Sequence, residues 1–202
     1  MIKKIINKFL KPKIKVKGDN NDISISKSAY LRKVRIRIFG NNNKIVIADG
    51  VYLHNTKIDI GFSDSPINNA LVTIGQKTTV NGLYICLGES DSEVSIGENC
   101  MISFDVEMSC TDTHSITDLD GKLLNKGHFI RLGSRVWACK KSVFLKDTEV
   151  KDDCVVAQNS VVTKCFDQTN CVIAGYPAKV VKEGILWSQK RPEIASREEL
   201  NK

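Results

Sequence analysis

The chain has 202 residues, enough for one large domain, with 42% hydrophobic but only 6% aromatic residues. Thirty Lys and Arg against 23 Asp and Glu give a formal net charge of +7 and a pI near 9.0, which favours anionic partners without choosing among them. Seven cysteines without a Cys-x-x-Cys pair argue against a disulfide framework and favour a reducing cytoplasm, and no apolar run reaches the roughly 18 residues of a membrane span.

The N-terminal segment, residues 1–17, is basic. Within it, residues 2–10 (IKKIINKFL) place apolar side chains at helical spacing with lysines between them. This pattern predicts a short helix, which either caps the following domain or contacts the anionic face of a membrane.

From residue 18 onward, an apolar residue recurs every six positions. The period is weak at Ile25 and Leu31 and at Ile47 and Leu53, and it strengthens further along the chain. It then passes through Ile74, Val80, Cys86, Ile96, Ile102, Met108, Leu132, Ala138, Phe144, Val150, Val156 and Val162. Six residues make one short strand and a corner, so three hexads return the chain above its start. The spacing predicts an all-β left-handed parallel β-helix over residues 18–177.

Three interruptions of the period predict loops. Residues 61–69 lack it, about four residues are inserted near residues 88–91, and the polar stretch 111–127 breaks it completely. We expect the last of these to protrude from the β-helix as a loop at about residues 111–128, and loops on a rigid scaffold commonly carry function. After Pro177 the repeat stops, and residues 178–202 are predicted to form a short helical tail.

Two runs near the C-terminus carry a family resemblance. They are LGSRVWACKKSVFLKDTEVKDDCVVAQNSVVTK, residues 132–164, and VIAGYPAKVVK, residues 172–182. Together they resemble the C-terminal signature of hexapeptide-repeat acetyltransferases. The chain is similar to galactoside and maltose acetyltransferases, and more closely to capsule, polysialic-acid and O-antigen O-acetyltransferases. The resemblance covers about residues 90–180, and the first 70 residues only through the repeat pattern.

The resemblance implies a homotrimer with acetyl-CoA in a groove between neighbouring subunits, no metal, and a histidine general base just before the protruding loop. By position that histidine is His114, in SCTDTHSI. An imidazole that titrates near neutrality can take the proton of a sugar hydroxyl as the oxygen attacks a thioester. The predicted activity is O-acetylation of a bacterial surface polysaccharide or its sugar precursor, at the cytoplasmic side of a membrane that the N-terminal helix contacts.

The resemblance also assigns binding residues. Substrate-binding positions are Asp112, Trp137, Asn81 and Asp91. Cofactor-binding positions are Lys140, Gln158, Thr163, Lys164, Lys179 and Lys182, whose cations suit the phosphates of coenzyme A. The chain departs from the family where Trp-Ile-Gly is replaced by Trp-Ala-Cys, ending at Cys139, and where Gly-Ala-Gly is replaced at residues 157–159. Glycines there serve tight corners and close approach of the cofactor.

Other functions stay open at this stage. An N-acetyltransferase acting on a nucleotide-linked amino sugar would explain the positive charge equally well, and the lost glycines are compatible with a catalytically decayed scaffold. A γ-type carbonic anhydrase needs three converging histidines, whereas the three here are spaced by 60 and 14 residues. Ice binding would need regular Thr-x-Thr ladders, which the sequence lacks. Nucleic acid is not an expected partner.

Overall fold

The protein is an all-β coil of short parallel strands. A computed structural model describes residues 11–190, so the helix predicted at residues 2–10 lies outside the described residues. Nineteen strands and no helix are found between residues 11 and 190. The left-handed parallel β-helix predicted from the hexads is confirmed.

Three flat faces surround the interior. The first face contains β1 (Lys13–Lys17), the C-terminal parts of β3 (Tyr30–Phe39) and β5 (Tyr52–Ile60), β8 (Leu83–Leu87), β11 (Val106–Cys110), β14 (Val143–Leu145) and β17 (Val161–Val162). The second face contains the N-terminal parts of β3 and β5, β7 (Thr79–Val80), β10 (Met101–Ile102), β13 (Trp137–Ala138), β16 (Val155–Val156), β18 (Cys171–Gly175) and β19 (Ala178–Glu183). The third face contains β2 (Asp22–Ile25), β4 (Lys44–Ile47), β6 (Leu71–Ile74), β9 (Glu93–Ile96), β12 (Phe129–Leu132) and β15 (Thr148–Val150).

Aliphatic side chains from each coil fill the interior, as the hexads predict. Leu53, Val80 and Ile102 stack on the second face and are fully buried. On β8 the residue aligned with Met108 is Ile85, not Cys86, and Ile85 belongs to the buried core cluster. The hexad drifts by one residue there because the corner before β8 is one residue shorter than a strict period of six requires.

The coils differ in length at one corner only. Aligned interior residues are five or six apart from the second face to the first, and eight apart from the third face to the second. From the first face to the third the separation varies from four to 22 residues. It is four from Phe144 to Thr148, nine from Ile36 to Ile45, 14 from Ile58 to Val72 and 22 from Met108 to Ile130. We call this corner, residues 40–43, 61–70, 88–92, 111–128 and 146–147, the loop edge.

Asparagine and aspartate form many of the tight corners. Sixteen non-glycine residues have positive φ, and most of them are Asn or Asp. Their short polar side chains tolerate the left-handed conformation better than most other residues do. Asn159, where the family has glycine, adopts φ 58° in this way, and near Cys139 the left-handed residue is Lys141. The glycine departures therefore leave these corners intact.

The prediction of a helical C-terminal tail is wrong for its described part. Residues 178–183 form β19, which pairs antiparallel with β18 after the turn at Tyr176-Pro177. The free edge of β18 offers unpaired backbone groups, and a hairpin satisfies them where a helix would not. Further on, Trp187 is buried, and its indole N–H donates to the carbonyl of Arg135 at 2.7 Å. Residues 191–202 lie outside the described residues.

The narrow interior makes a stability prediction. Phe144 is fully buried, whereas its neighbour Leu145 on β14 is 37% exposed. Phe144→Ala is expected to lower the free energy of unfolding by about 3–5 kcal/mol, because it removes a large buried ring and leaves a cavity. Leu145→Ala, the matched control, should cost less than about 1 kcal/mol. Denaturant unfolding of both variants checks this, and equal losses would contradict the inward orientation of Phe144.

Candidate active site

The longest insertions of the loop edge surround a cavity of about 650 Å³. Its lining comes from successive coils: residues 61–65, residues 88–89 and parts of the loop 111–128, with Lys15, Arg37 and Phe39 from the first face. This volume lies within the range of pockets that bind small molecules. The protruding loop predicted from the sequence is present, and it forms one wall of the cavity.

His114 lines this cavity at the start of the protruding loop. Its side chain is exposed, and within residues 11–190 the imidazole has no hydrogen-bonding partner. The backbone turns sharply just before it, because the N–H of His114 donates to the carbonyl of Asp112 at 2.7 Å. Thr113, inside that turn, has φ 61°, which is unusual for a β-branched residue. The turn directs His114 away from the interior, although it lies six residues after the inward-facing Met108, and such strained positions cluster at functional sites.

Asp112 helps to close the base of the loop. Its carboxylate accepts hydrogen bonds from the amide of Asn125 at 2.9 Å and from the ammonium group of Lys146. These bonds, that of Lys146 above all, lower the pKa of Asp112. Asn125 also donates to the carbonyl of His114 at 2.9 Å and accepts from the N–H of Ile116 at 2.8 Å. Asp112 therefore holds the loop that carries His114, and no hydrogen bond among the described residues joins its carboxylate to the imidazole.

Glu89 faces the same cavity and was missed by the sequence interpretation. One carboxylate oxygen accepts from the hydroxyl of Thr111 at 2.9 Å, while the other is buried without a partner in the described part of the chain. Burial is the largest cause of a raised pKa for Glu89, and the charges of Asp112 and Asp147 add to it. A half-buried carboxyl with a raised pKa in a cleft is a common feature of functional sites.

The other predicted substrate residues lie apart from this cavity. Trp137 is on the second face, where its indole donates to the hydroxyl of Ser103 at 3.2 Å and its ring lies 5.9 Å from that of Trp187. Asn81 follows β7 at the corner between the second and first faces. Asp91 is on the loop edge, exposed, and accepts from the amide of Asn69 at 2.9 Å. Among the described residues that line the cavity, none of these three is included.

The predicted cofactor residues are all exposed near the C-terminal end of the β-helix. Lys140 and Gln158 lie at the corner from the second face to the first, in successive coils, where the N–H of Asn159 donates to the carbonyl of Lys140 at 3.2 Å. Thr163 and Lys164 follow β17, and Lys179 and Lys182 belong to β19. The six side chains thus occupy two corners and the adjoining hairpin.

Two statements about absent features apply to residues 11–190 only. No group of three or more His, Cys, Asp or Glu side chains in this range is arranged to hold a metal ion. None of its segments forms a helix long and apolar enough to cross a membrane.

Comparisons with known proteins agree on one family. The chain is 32% identical over 133 residues to the polysialic acid O-acetyltransferase of Neisseria meningitidis, covering 65% of this chain and 61% of that protein. It is 30% identical over 119 residues to the polysialic acid O-acetyltransferase of Escherichia coli O1:K1, covering 58% of this chain and 38% of that protein. The match thus spans about four to six tenths of the length of these relatives. No protein-family model matches the chain.

Two crystal structures are similar over most of the chain. The polysialic acid O-acetyltransferase OatWY superposes with a TM-score of 0.70 at 29% identity, covering 90% of this chain and 94% of that one. The polysialic-acid-specific acetyltransferase NeuO superposes with a TM-score of 0.69 at 25% identity, covering 90% of each chain. The similarity extends over the first coils, which the sequence resembled only through the repeat pattern.

The raised pKa of Glu89 predicts a pH-dependent stability difference. A carboxyl whose pKa is higher in the folded protein binds extra protons on folding, so its ionisation lowers stability as the pH rises above the unfolded value of about 4.3. Glu89→Gln should therefore raise the melting temperature at pH 7, and the gain should vanish below about pH 4. Thermal unfolding at both pH values measures this, with Glu183→Gln on the exposed hairpin as a control. A gain independent of pH would contradict the assignment.

Asn125 should control the order of the loop. Asn125→Ala removes its acceptor for the Ile116 N–H and its two donated bonds, so hydrogen exchange at Ile116 should accelerate by about 10-fold or more. Asn125→Asp keeps the acceptor but places a carboxylate against Asp112, so it should also loosen the loop at neutral pH. Exchange monitored by mass spectrometry tests both variants. Unchanged exchange in Asn125→Ala would show that other contacts hold the loop.

Proposed function

Because this chain belongs to the hexapeptide-repeat acetyltransferase family, we propose that it is an acyltransferase that moves an acetyl group from acetyl-CoA to a hydroxyl of a bacterial surface polysaccharide or its sugar precursor. The observation that carries the proposal is the placement of His114. It lies at the strained start of the protruding loop, exposed in the largest insertions of the loop edge, with a ring that no described residue engages.

His114 is the proposed general base. A ring nitrogen of the neutral imidazole takes the proton of the sugar hydroxyl while the oxygen attacks the thioester carbonyl. A tetrahedral oxyanion forms, which nearby hydrogen-bond donors stabilise. When it collapses, the carbon–sulfur bond breaks, the acetyl ester remains on the sugar, and the thiolate of coenzyme A takes up the proton from the imidazolium. An unpaired ring suits this role, because a protein carboxylate hydrogen-bonded to it would favour the protonated form that cannot act as a base.

The proposed acceptor is a glycan because both curated relatives and both similar structures are named for O-acetyl or acetyl transfer to polysialic acid. The alternative of N-acetyl transfer to an amino sugar is not favoured by these names. A decayed scaffold is disfavoured by the corners themselves, since Asn159 keeps the left-handed geometry where a family glycine is missing. Asp112 and Asp91 on the loop edge remain proposed acceptor-side residues, together with Asn81 and Trp137.

For the co-substrate, we propose that the exposed side chains of Lys140, Gln158, Thr163, Lys164, Lys179 and Lys182 bind acetyl-CoA. Four of them are cations, which suit its phosphates. These residues lie on the last coils and the hairpin, whereas His114 starts the protruding loop, so a second copy of the chain is needed to combine the two regions. A homotrimer is therefore proposed, and the exposed apolar side chains of the loop, Ile116, Leu119 and Leu124, suit burial against a neighbouring subunit.

The proposed location is the cytoplasm, where acetyl-CoA is available, with peripheral contact to the inner face of the membrane at which surface glycans are assembled. No metal is assigned a role in the transfer.

Release of free thiol from acetyl-CoA in the presence of glycan acceptors tests the function. Wild-type protein should turn over with an acidic bacterial glycan such as polysialic acid, and His114→Ala should lower kcat by about 100-fold or more, the usual contribution of a general base. His54→Ala is the matched control, because His54 lies on the second face, away from the cavity. Equal rates in wild type and His114→Ala would exclude His114 as the base. Thiol release with nucleotide-linked amino sugars alone would support N-acetyl transfer instead.

A further inference from the structure

The positive charge of the chain is concentrated in its first coils. Residues 1–60 contain 14 Lys and Arg and four Asp and Glu, a formal charge of +10. Residues 61–202 contain 16 Lys and Arg and 19 Asp and Glu, a formal charge of −3. The excess that makes the whole protein basic therefore belongs entirely to the N-terminal part, away from the last coils proposed to bind acetyl-CoA. A separate anionic ligand for the first coils would explain this distribution.

Strand register gathers six of these cations on the outside of the first face. Lys13 pairs with Arg35, which pairs with Lys57, and in the next outward row Lys15 pairs with Arg37. We call the six residues of this group the cationic strip: Lys13, Lys15, Lys17, Arg35, Arg37 and Lys57. The strands that carry the strip lie about 4.8 Å apart, and alternate residues along a strand lie about 6.6 Å apart, so the cations form a compact, regular array.

One buried carboxylate holds the two arginines of the strip. Asp59 is 1% exposed and accepts from Arg37 at 2.6 and 2.8 Å and from Arg35 at 3.2 Å. The four lysines of the strip form no ion pair with any residue between 11 and 190. The strip therefore carries six positive charges against one negative charge, and most of that excess is exposed to solvent.

The cationic strip is continuous with the cavity that holds His114. Lys15 and Arg37 line that cavity together with Phe39, whose ring lies 5.4 Å from the ammonium group of Lys15. A ligand that occupies both regions must offer hydroxyl groups at one point and negative charges further along. A linear acidic glycan has both in one chain, whereas a flat anionic membrane surface has no segment that would enter the cavity.

We propose that the cationic strip is an exosite that binds an anionic stretch of the glycan acceptor next to the sugar unit presented to His114. The proposal rests on the proposed function for the cavity and adds the class of acceptor, a polyanionic glycan, and the surface that selects it. Charge complementarity of this kind speeds association and discriminates against neutral polymers.

Direct binding tests the exosite without relying on catalysis. Labelled polysialic acid is titrated with the full chain, in the absence of acetyl-CoA, and the dissociation constant is measured by fluorescence anisotropy at several salt concentrations. The strip variant is Lys13→Gln, Lys17→Gln and Lys57→Gln combined. It leaves the arginine pairs with Asp59 and the cavity lining unchanged. The control variant, Lys27→Gln, Lys44→Gln and Lys77→Gln combined, removes the same charge from exposed positions outside the first face.

We expect the strip variant to bind polysialic acid about 10-fold or more weakly than wild type, with a shallower salt dependence, because fewer counterions are released. The control variant should stay within about twofold of wild type. Neutral dextran of similar length should bind neither protein measurably. Equal weakening in both variants, or wild-type binding of dextran as tight as that of polysialic acid, would overturn the exosite.

Two further measurements separate the exosite from its alternatives. Phosphatidylglycerol vesicles are tested with the same proteins, and loss of vesicle binding without loss of glycan binding in the strip variant would assign the strip to a membrane instead. His114→Ala should bind polysialic acid like wild type. If its thiol-release rate also equals that of wild type while the strip variant fails to bind, the exosite stands and the proposed base falls.

Discussion

Parallel stacking of successive coils is the constraint on which the rest of the molecule depends. Each strand exchanges backbone hydrogen bonds with the coil before it and the coil after it, on all three faces. A residue that faces the interior in one coil must therefore lie above an interior residue of the previous coil. Two corners meet this demand with nearly constant spacing, and only the corner between the first and third faces varies. Chain length can be added at that corner without breaking any strand pair.

The candidate active site follows from this asymmetry. Because every insertion leaves the β-helix at the same corner, loops from different coils accumulate along one edge and enclose a cavity there. Its walls are polar, and the fold solves the burial of two carboxylates differently. Asp59 beneath the cationic strip is satisfied by two guanidinium groups, whereas one oxygen of Glu89 has no partner in the described chain. An uncompensated buried oxygen costs stability, and such costs are usually retained where function needs them.

The strain at Thr113 belongs to the same arrangement. A β-branched residue in the left-handed region is unfavourable, but it allows the chain to turn within three residues and to present His114 outward. The hydrogen bonds of Asn125 and Asp112 then hold the turn from the other side of the loop. His114 is positioned by backbone geometry and by a loop clamp, with its imidazole left free for a substrate.

The sequence predicted the repeat, the loops and the position of His114, because each leaves a local signal: a period of six, a polar break and a motif flank. It placed Cys86 in the interior where Ile85 lies, since one short corner shifts the phase without any visible mark. It also missed Glu89, Asn125 and Lys146. Each of these residues is an ordinary polar side chain in its own segment, and each acquires its role from a contact with a residue of another coil or of the far end of the loop.

What the sequence by itself determined is therefore the kind of fold and the concentration of charge in its first third. A hexad of aliphatic residues can be buried only by stacking, whatever the details of the corners. What only the tertiary structure decided is which corner takes the insertions, which residues share the cavity, and how six basic side chains from three strands become one strip beside it. Those relations depend on register between coils 18 to 36 residues apart, and register is set by the summed lengths of all the corners between them.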